Sequence, residues 1–317
     1  MNLETEIRNG YTIPSEMKKV WAVQLSLAEK LLEVCGKHGL RISASDGTLL
    51  GAVREHGFIP WDDDMDFQML REDYDKLVKI APREFKKPFF FQSADTDKNY
   101  VRGHAQLRMD DTAAVLSFDV FQPFHQGIFI DIFPLDAVPS TEDGINRLKR
   151  QSEILQHRLR GIFCPVFYLL NGNTYKWSES FKFLLLKFFV SRKKAFKKYE
   201  DLFRAVDVNS AEEVAMMSFT WDFFEGTRCT KHLLDNIIWV PFEDMMMPIP
   251  AIYDIVLKQE YGDYMKPVKA PSYHSNFVIA LDAERSYKDV LREERKRKFK
   301  IWKRGILKAL HLTSGNS

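Results

Sequence analysis

Four carboxylates fall within five positions, Asp62, Asp63, Asp64 and Asp66, and they are not in a polar tail. Phe58, Ile59, Pro60 and Trp61 precede them and Phe67 follows, so apolar packing must hold the cluster in place. Carboxylates fixed close together repel one another unless a cation lies between them. A fold that buries this segment must therefore supply a site for positive charge. On an extended segment, residues i, i+2 and i+4 share a face. Asp62, Asp64 and Asp66 then point together, with Asp63 and Met65 on the other side. Oxygen-only donors of this kind suit Mg²⁺ or Mn²⁺, ions that commonly clamp phosphates. A calcium loop starting at Asp62 would need Gly and Glu where Phe67 and Asp73 stand. The plainer alternative, a solvated acidic turn, fits the aromatic flanks and the alternation poorly.

The preceding residues offer what a phosphate needs. Gly47 and Gly51 bracket Thr48, Leu49 and Leu50, and the run continues to Gly57. The pattern predicts a short helix from about Thr48 to His56, with Gly57 as its C-terminal stop. Its N-terminus would present free N–H groups to an anion. The Thr48 hydroxyl and the Arg54 guanidinium would add donors, with Gly47 and Gly51 allowing close approach. No Gly-Lys-Ser/Thr follows, so this is not a Walker A loop. Either glycine alone could equally be a turn or a packing contact.

Residues 127–133 alternate as a strand, with Phe129, Asp131 and Phe133 on one face and Ile128, Ile130 and Ile132 on the other. An ionised carboxylate in so apolar a strand needs a cation or strong donors, unless Asp131 merely caps the strand end. His104, Gln106 and Arg108 alternate in the same way with Ala105, Leu107 and Met109. Arg108 is read as a phosphate contact, with a structural ion pair as its alternative. His104 is read as a surface or supporting residue, and Asp110 and Asp111 as a turn.

Taken in order, these motifs resemble a known family. Gly47-Thr-Leu-Leu-Gly-Ala-Val-Arg54, followed by Gly57-Phe-Ile-Pro-Trp-Asp-Asp-Asp-Met-Asp66, is similar to the hallmark of LicD-type phosphotransferases. Those proteins are related to the fukutin-related proteins and lie in the nucleotidyltransferase-fold superfamily. Leu107-Arg-Met-Asp-Asp-Thr112, Gly127-Ile-Phe-Ile-Asp-Ile-Phe-Pro-Leu-Asp136 and Tyr261-Gly-Asp-Tyr-Met265 match in the same order, so the resemblance spans roughly residues 20–275. It implies transfer of a phosphoalcohol, typically phosphocholine from CDP-choline, to a sugar hydroxyl of a surface glycan such as lipopolysaccharide, teichoic acid or capsule. Some relatives transfer ribitol phosphate instead. It also implies that Asp62, Asp64 and Asp66, with Asp63 between, bind metal and support catalysis, and that Asp131 is the carboxylate of the later motif. Asp46 replaces a frequent second glycine and Gln106 a frequent lysine, which leaves the donor contacts open.

The 317 residues can bury a substantial core, and their 28% charged and 45% hydrophobic content is ordinary globular usage. A net charge of +2 makes no case for nucleic acid. Cys35, Cys164 and Cys229 are far apart, form no CxxC pair and fit a reducing cytoplasm. No signal peptide is evident. Periodicity predicts a helix from Met17 to Lys37 closing at Gly39, and a strand from Leu40 to Ala44. It further predicts a helix from Arg71 to Ile80 and strands at 89–92 and 104–109. Trp239 to Pro250 reads as one strand and Ala251 to Tyr261 as a helix ending at Gly262. The fold class expected is α/β (α+β), with a nucleotidyltransferase-like mixed-sheet core made by residues 17–140 and 236–285. Residues 141–235 form a helical accessory region and 286–317 a basic amphipathic tail.

Two stretches point to a surface. Phe181 to Val190 is strongly apolar but too short to span a bilayer. Arg295 to Lys308 carries eight basic and no acidic residues, with Phe299, Trp302 and Ile306 at helical spacing. Such a helix can lie on an anionic membrane, or simply be a solvated helix docked by a few apolar residues. The expectation is a cytoplasmic enzyme, optionally peripheral at the inner face of the cell membrane. Its partners would be a CDP-alcohol donor and a glycan or lipid-linked glycan acceptor, its cofactor Mg²⁺ (or Mn²⁺), with no nucleic acid. The rivals are a nucleotidyltransferase that releases pyrophosphate and a catalytically silent membrane-associated scaffold.

Overall fold

The computed structural model describes residues 1–98, 100–163, 183, 185–186, 188–268 and 277–314, with 302–314 described in backbone only. A hairpin of β1 (Glu6–Arg8) and β2 (Tyr11–Ile13) opens the chain. Its Asn9-Gly10 turn has φ of 52° and 72°, the left-handed pair that Asn-Gly readily adopts. Helix α1 (Ser15–His38) follows and stops at Gly39, whose φ of 61° lets its N–H reach back to Cys35 and Gly36. The buried positions of α1, among them Trp21, Gln24, Ala28, Leu31 and Cys35, recur at helical spacing and form one stripe.

Among the described residues the main sheet has seven strands. In chain order they are β3 (Ser43–Ala44), β4 (Asp66–Leu70), β5 (Phe89–Gln92), β6 (Ala105–Met109), β8 (Phe129–Ala137), β9 (Glu213–Ala215) and β10 (Cys229–Thr230). Helix α2 (Asp46–Arg54) joins β3 to β4, and α3 (Arg71–Glu84) leaves β4 directly. Strand β8 is the hub: it runs parallel to β4, pairs antiparallel with β6 on its other edge, and meets β9 antiparallel at its end. Its alternation separates core from site. Ile128, Ile130 and Ile132 are fully buried in the main core with α1, while Phe133 and Leu135 pack with Leu70, Val214 and Met216.

Strand β7 (Ala113–Leu116) pairs with β13 (Val278–Asp282), and this small sheet receives α8 (Tyr287–Ser314) through Val290 and Leu291. Helices α4 (Glu142–Phe163) and α5 (Arg192–Arg204) pack on each other in a second core, and α6 (Phe224–Thr227) lies near it. The hairpin of β11 (Ile237–Phe242) and β12 (Met245–Pro250) leads into α7 (Tyr253–Tyr261). The chain thus combines helices with mixed sheet, the α/β class expected.

Several boundaries differ from expectation. The single strand from Trp239 to Pro250 is a hairpin, because Glu243 turns the chain with φ of 48°. Its carboxylate accepts hydrogen bonds from Arg8 (2.6 Å) and the Phe58 N–H (3.1 Å), so distant residues hold that turn. Gly57 does not stop α2. The helix ends at Arg54, His56 takes the left-handed conformation, and a Cβ at Gly57 would displace the Glu243 carboxylate from Arg8. The region 141–235 is not wholly helical either, since β9 and β10 extend the main sheet. Phe181, Lys182, Leu184 and Lys187 of the apolar run, the side chains of Trp302 and Ile306, and Cys164 lie outside the described residues. Cys35 and Cys229 are free thiols.

Candidate active site

The parallel pairing of β4 with β8 sets Asp66 directly beside Asp131, and the Asp131 N–H donates to Met65 O at 2.8 Å. Cα partners in a ladder project to the same face, so two carboxylates are made neighbours by backbone register. The loop before β4 adds Asp62 and Asp64. It is pinned from below by α1: Trp21 Nε1 donates to Asp62 O at 3.0 Å and Gln24 Nε2 to Asp63 O at 2.8 Å. Trp21 is fully buried and stacks on Phe58, with ring centroids 4.5 Å apart, which anchors the apolar flank as well. From above, the Asp66 N–H donates to the Thr48 hydroxyl at 2.8 Å.

These elements enclose a cavity of about 680 Å³ lined by Asp46, Asp62, Asp64, Asp66, Asp131 and Glu260, together with Gly47, Arg54 and several aromatic side chains. Gly47 opens the N-terminal end of α2 to it, since a Cβ there would lie 2.7 Å from Asp62 Oδ2. Burial raises the Asp62 carboxyl well above the usual range, and the Asp64 carboxylate pushes it further. Asp66 is raised by burial and then by Asp64, Asp46 and Asp131. Burial and Asp46 raise Glu260 to about 9. Asp46 itself is raised by burial, and its Oδ2 is buried with no hydrogen-bond partner. A site that penalises its own negative charge so strongly fits a divalent cation, and the all-oxygen donor set fits Mg²⁺ or Mn²⁺.

Asp131 is held from the side. Gln106, its partner on β6, donates from Nε2 to Asp131 Oδ1 at 2.7 Å, and His104 Nε2 lies 3.0 Å from the same oxygen. Burial lowers the His104 pKa, so the ring is neutral and supplies an N–H. Gln106 thus orients a site carboxylate, and His104 supports it without ligating anything itself.

Of the other expected residues, Arg54 lines the cavity and Arg108, Thr48 and Gly51 do not. Arg108 is buried away from the cavity, donating to Gln92 Oε1 and Gln106 Oε1, each at 2.5 Å, and to Gly127 O at 2.6 Å. It braces β5, β6 and the Gly127 turn, a structural part in place of the phosphate contact. Thr48 is buried with its hydroxyl on the Asp66 N–H, and Gly51 is a close approach whose Cβ would meet the Gly57 carbonyl. Arg54 lines the cavity while donating to Glu55 (2.7 Å) and Tyr264 O (2.9 Å).

The acidic loop also departs from simple alternation. Residues 62–65 are irregular and the strand begins at Asp66, so carboxylate oxygens of Asp62, Asp63 and Asp64 come within 4.8 Å of one another. Sequence reasoning missed Glu260, Trp21 and Gln24. An acidic residue directly ahead of Tyr261-Gly262-Asp263 was the available sign of the first. A Trp and a Gln inside an apolar helix stripe were the sign of the others.

Residues 39–160, which hold the motifs at 47–66, 107–112 and 127–136, match the family described as LicD/FKTN/FKRP, nucleotidyltransferase domain. Over 244 residues, 77% of this chain and 89% of the relative, it is 23% identical to the lipopolysaccharide cholinephosphotransferase LicD of Haemophilus influenzae. Shorter stretches match proteins from two rickettsiae. One is 43% identical over 51 residues to RP689 of Rickettsia prowazekii, covering 19% of that protein. The other is 42% identical over 55 residues to RT0683 of Rickettsia typhi, covering 18%.

Proposed function

We propose that this protein is a metal-dependent phosphotransferase that moves phosphocholine from CDP-choline to a sugar hydroxyl of a cell-surface glycan, with lipopolysaccharide the first acceptor to test. The observation that carries the reading is the Asp66–Asp131 register inside a cavity shared with Asp62 and Asp64. The likeness to a cholinephosphotransferase over 77% of the chain supports the choice of donor.

Asp64, Asp66 and Asp131, with Asp62, would hold one or two Mg²⁺ (or Mn²⁺) ions. The metal supplies charge neutralisation on the donor diphosphate and on the departing phosphate. Gln106 and His104 keep the Asp131 carboxylate turned to the cavity. Gly47 at the α2 N-terminus and Arg54 line the same cavity and would meet the donor's phosphate oxygens. The acceptor oxygen attacks the phosphorus that bears choline, the bond from that phosphorus to the CMP oxygen breaks, and CMP leaves. Asp62 would either coordinate as well or take the hydroxyl proton. Most of the rate then comes from positioning and electrostatics.

Incubation with CDP-choline, Mg²⁺ and lipopolysaccharide should release CMP and label the glycan. Pyrophosphate with a nucleotidylated acceptor would instead identify a nucleotidyltransferase. We further propose that the protein works at an anionic membrane surface. No helix among the described residues is long and apolar enough to cross a membrane, but α8 exposes Phe299 and Ile301 among its basic residues. Flotation with phosphatidylglycerol vesicles, absent with phosphatidylcholine alone, is the expected result.

A further inference from the structure

One wall of the acidic cavity is aromatic, and the metal site leaves it unexplained. Phe133 follows Asp131 by two positions on β8 and so shares its face. Its ring centroid lies 5.5 Å from that of Phe219, and Phe219 stacks on Phe223 at 6.2 Å with 13° between planes. Met216 completes the surface. Behind it the neutral His104 ring backs both Phe133 (4.9 Å) and Phe219 (4.6 Å). The outermost ring, Phe223, is 39% exposed.

Wall and surroundings together favour one chemistry. The side chains of Phe133, Met216, Phe219 and Phe223 offer no strong hydrogen-bond donor or acceptor. A polyol would lose its hydrogen bonds to water there, a primary ammonium would lose three donors, and a nucleobase edge would go unread. Among the described lining residues, seven acidic side chains stand against two basic ones, Arg54 and Lys266; the metal would neutralise its own ligands, and Asp46, Glu260 and Asp263 remain to tolerate a cation beside the wall. A group that is cationic, bulky and free of hydrogen-bond donors fits both. Aromatic faces attract such a cation through their quadrupoles.

Resting on the phosphotransferase reading, we infer that Phe133, Phe219 and Phe223 form the subsite for the quaternary ammonium group of the transferred alcohol, and so select choline over ethanolamine, glycerol and ribitol. The wall continues directly from Asp131, which places the ammonium next to the reacting phosphate. Phe223 closes the outer side.

The test is isothermal titration of the full-length, Mg²⁺-loaded protein and its Phe223→Leu, Phe219→Leu and Phe223→Trp variants with CDP-choline, CDP-ethanolamine, CDP-glycerol and CMP. Thermal melting confirms that each variant folds. Wild type should bind CDP-choline about tenfold more tightly than CDP-glycerol. Each Leu variant should lose about tenfold for CDP-choline while CMP affinity holds, and Phe223→Trp should keep the preference. An equal loss for CMP would mean that the rings meet the nucleotide, and the assignment fails. Wild type binding CDP-ethanolamine or CDP-glycerol as tightly as CDP-choline also overturns it, yet leaves a phosphotransferase. Binding of none of the four ligands overturns both readings together.

Discussion

Asp131 and Asp136 lie on the same strand, both buried, at 6% and 1% exposure, yet they meet opposite surroundings. Asp136 receives two hydrogen bonds from the Arg71 guanidinium, 2.6 Å from Nε and 2.7 Å from Nη2. The fold supplies its cation. Asp131 receives neutral donors from Gln106 and His104 and stands beside Asp66 across the parallel ladder. Around the first the chain cancels charge, and around the second it accumulates charge. A buried carboxylate is therefore not in itself a sign of chemistry. What marks a site is a set of like charges that packing, here Trp21, Gln24 and Thr48, forbids from moving apart.

Asparagine replacements break the comparison most directly. Asp131→Asn and Asp64→Asn should each lower transfer by about a thousandfold or more, roughly 4 kcal/mol in the barrier, as a lost metal ligand would. The metal-free melting temperature should hold or rise, because one repelling charge is gone. Asp136→Asn should do the reverse and take from half-buried Arg71 its bidentate partner, leaving it Glu200 at 3.6 Å and Asp75 at 3.9 Å. The stability loss expected is about 2–3 kcal/mol by denaturant titration, with kcat preserved in the folded fraction. If Asp131→Asn destabilised the protein as much as Asp136→Asn while transfer survived, the distinction between the two aspartates would collapse.

Titration sharpens the same contrast at lower amplitude. Glu260 has a folded pKa of about 9 against an ordinary 4.5. A raised acid pKa means that the folded state keeps a proton the unfolded state has released. Its stabilising contribution is thus fully present below about pH 4.5 and is lost as pH rises toward 9. Asp62 and Asp66 are shifted the same way. Melting in EDTA should fall as pH is raised from about 5.5 to about 8.5, and the increment from added Mg²⁺ should grow over that range. A Mg²⁺ increment independent of pH would show that the ion does not sit among these carboxylates.

Local pattern made α1, β5, β6 and β8 legible, because each buries one face and its periodicity survives in the residues. It failed where a distant partner decides the backbone. Nothing in Phe242-Glu243-Asp244-Met245 announces a hairpin, and the Glu243 turn is held by Arg8 from the far end of the chain. Arg108 was placed on the correct polar stripe, but the pairing of Phe90 with Arg108 brings Gln92 into reach, and that contact claims the guanidinium. The carboxylates of 62–66 and 131 were readable as motifs. Asp46 and Glu260 join them only because α7 packs against α2, a tertiary event without a local trace.

Asp46 gives the finest test of how the cavity tolerates its charge. It holds φ at 46°, a left-handed conformation in which glycine is free of strain, and its carboxyl is raised by burial. Asp46→Gly removes both the backbone strain and a like charge, while adding some unfolded-state entropy. The net expectation in EDTA is a gain of about 0.5–1 kcal/mol, read by urea unfolding. Mg²⁺ affinity by titration should be unchanged, because Asp62, Asp64, Asp66 and Asp131 remain. A drop in that affinity would add Asp46 to the ligand set. The cation would then sit closer to the α2 N-terminus than the β4–β8 register alone implies.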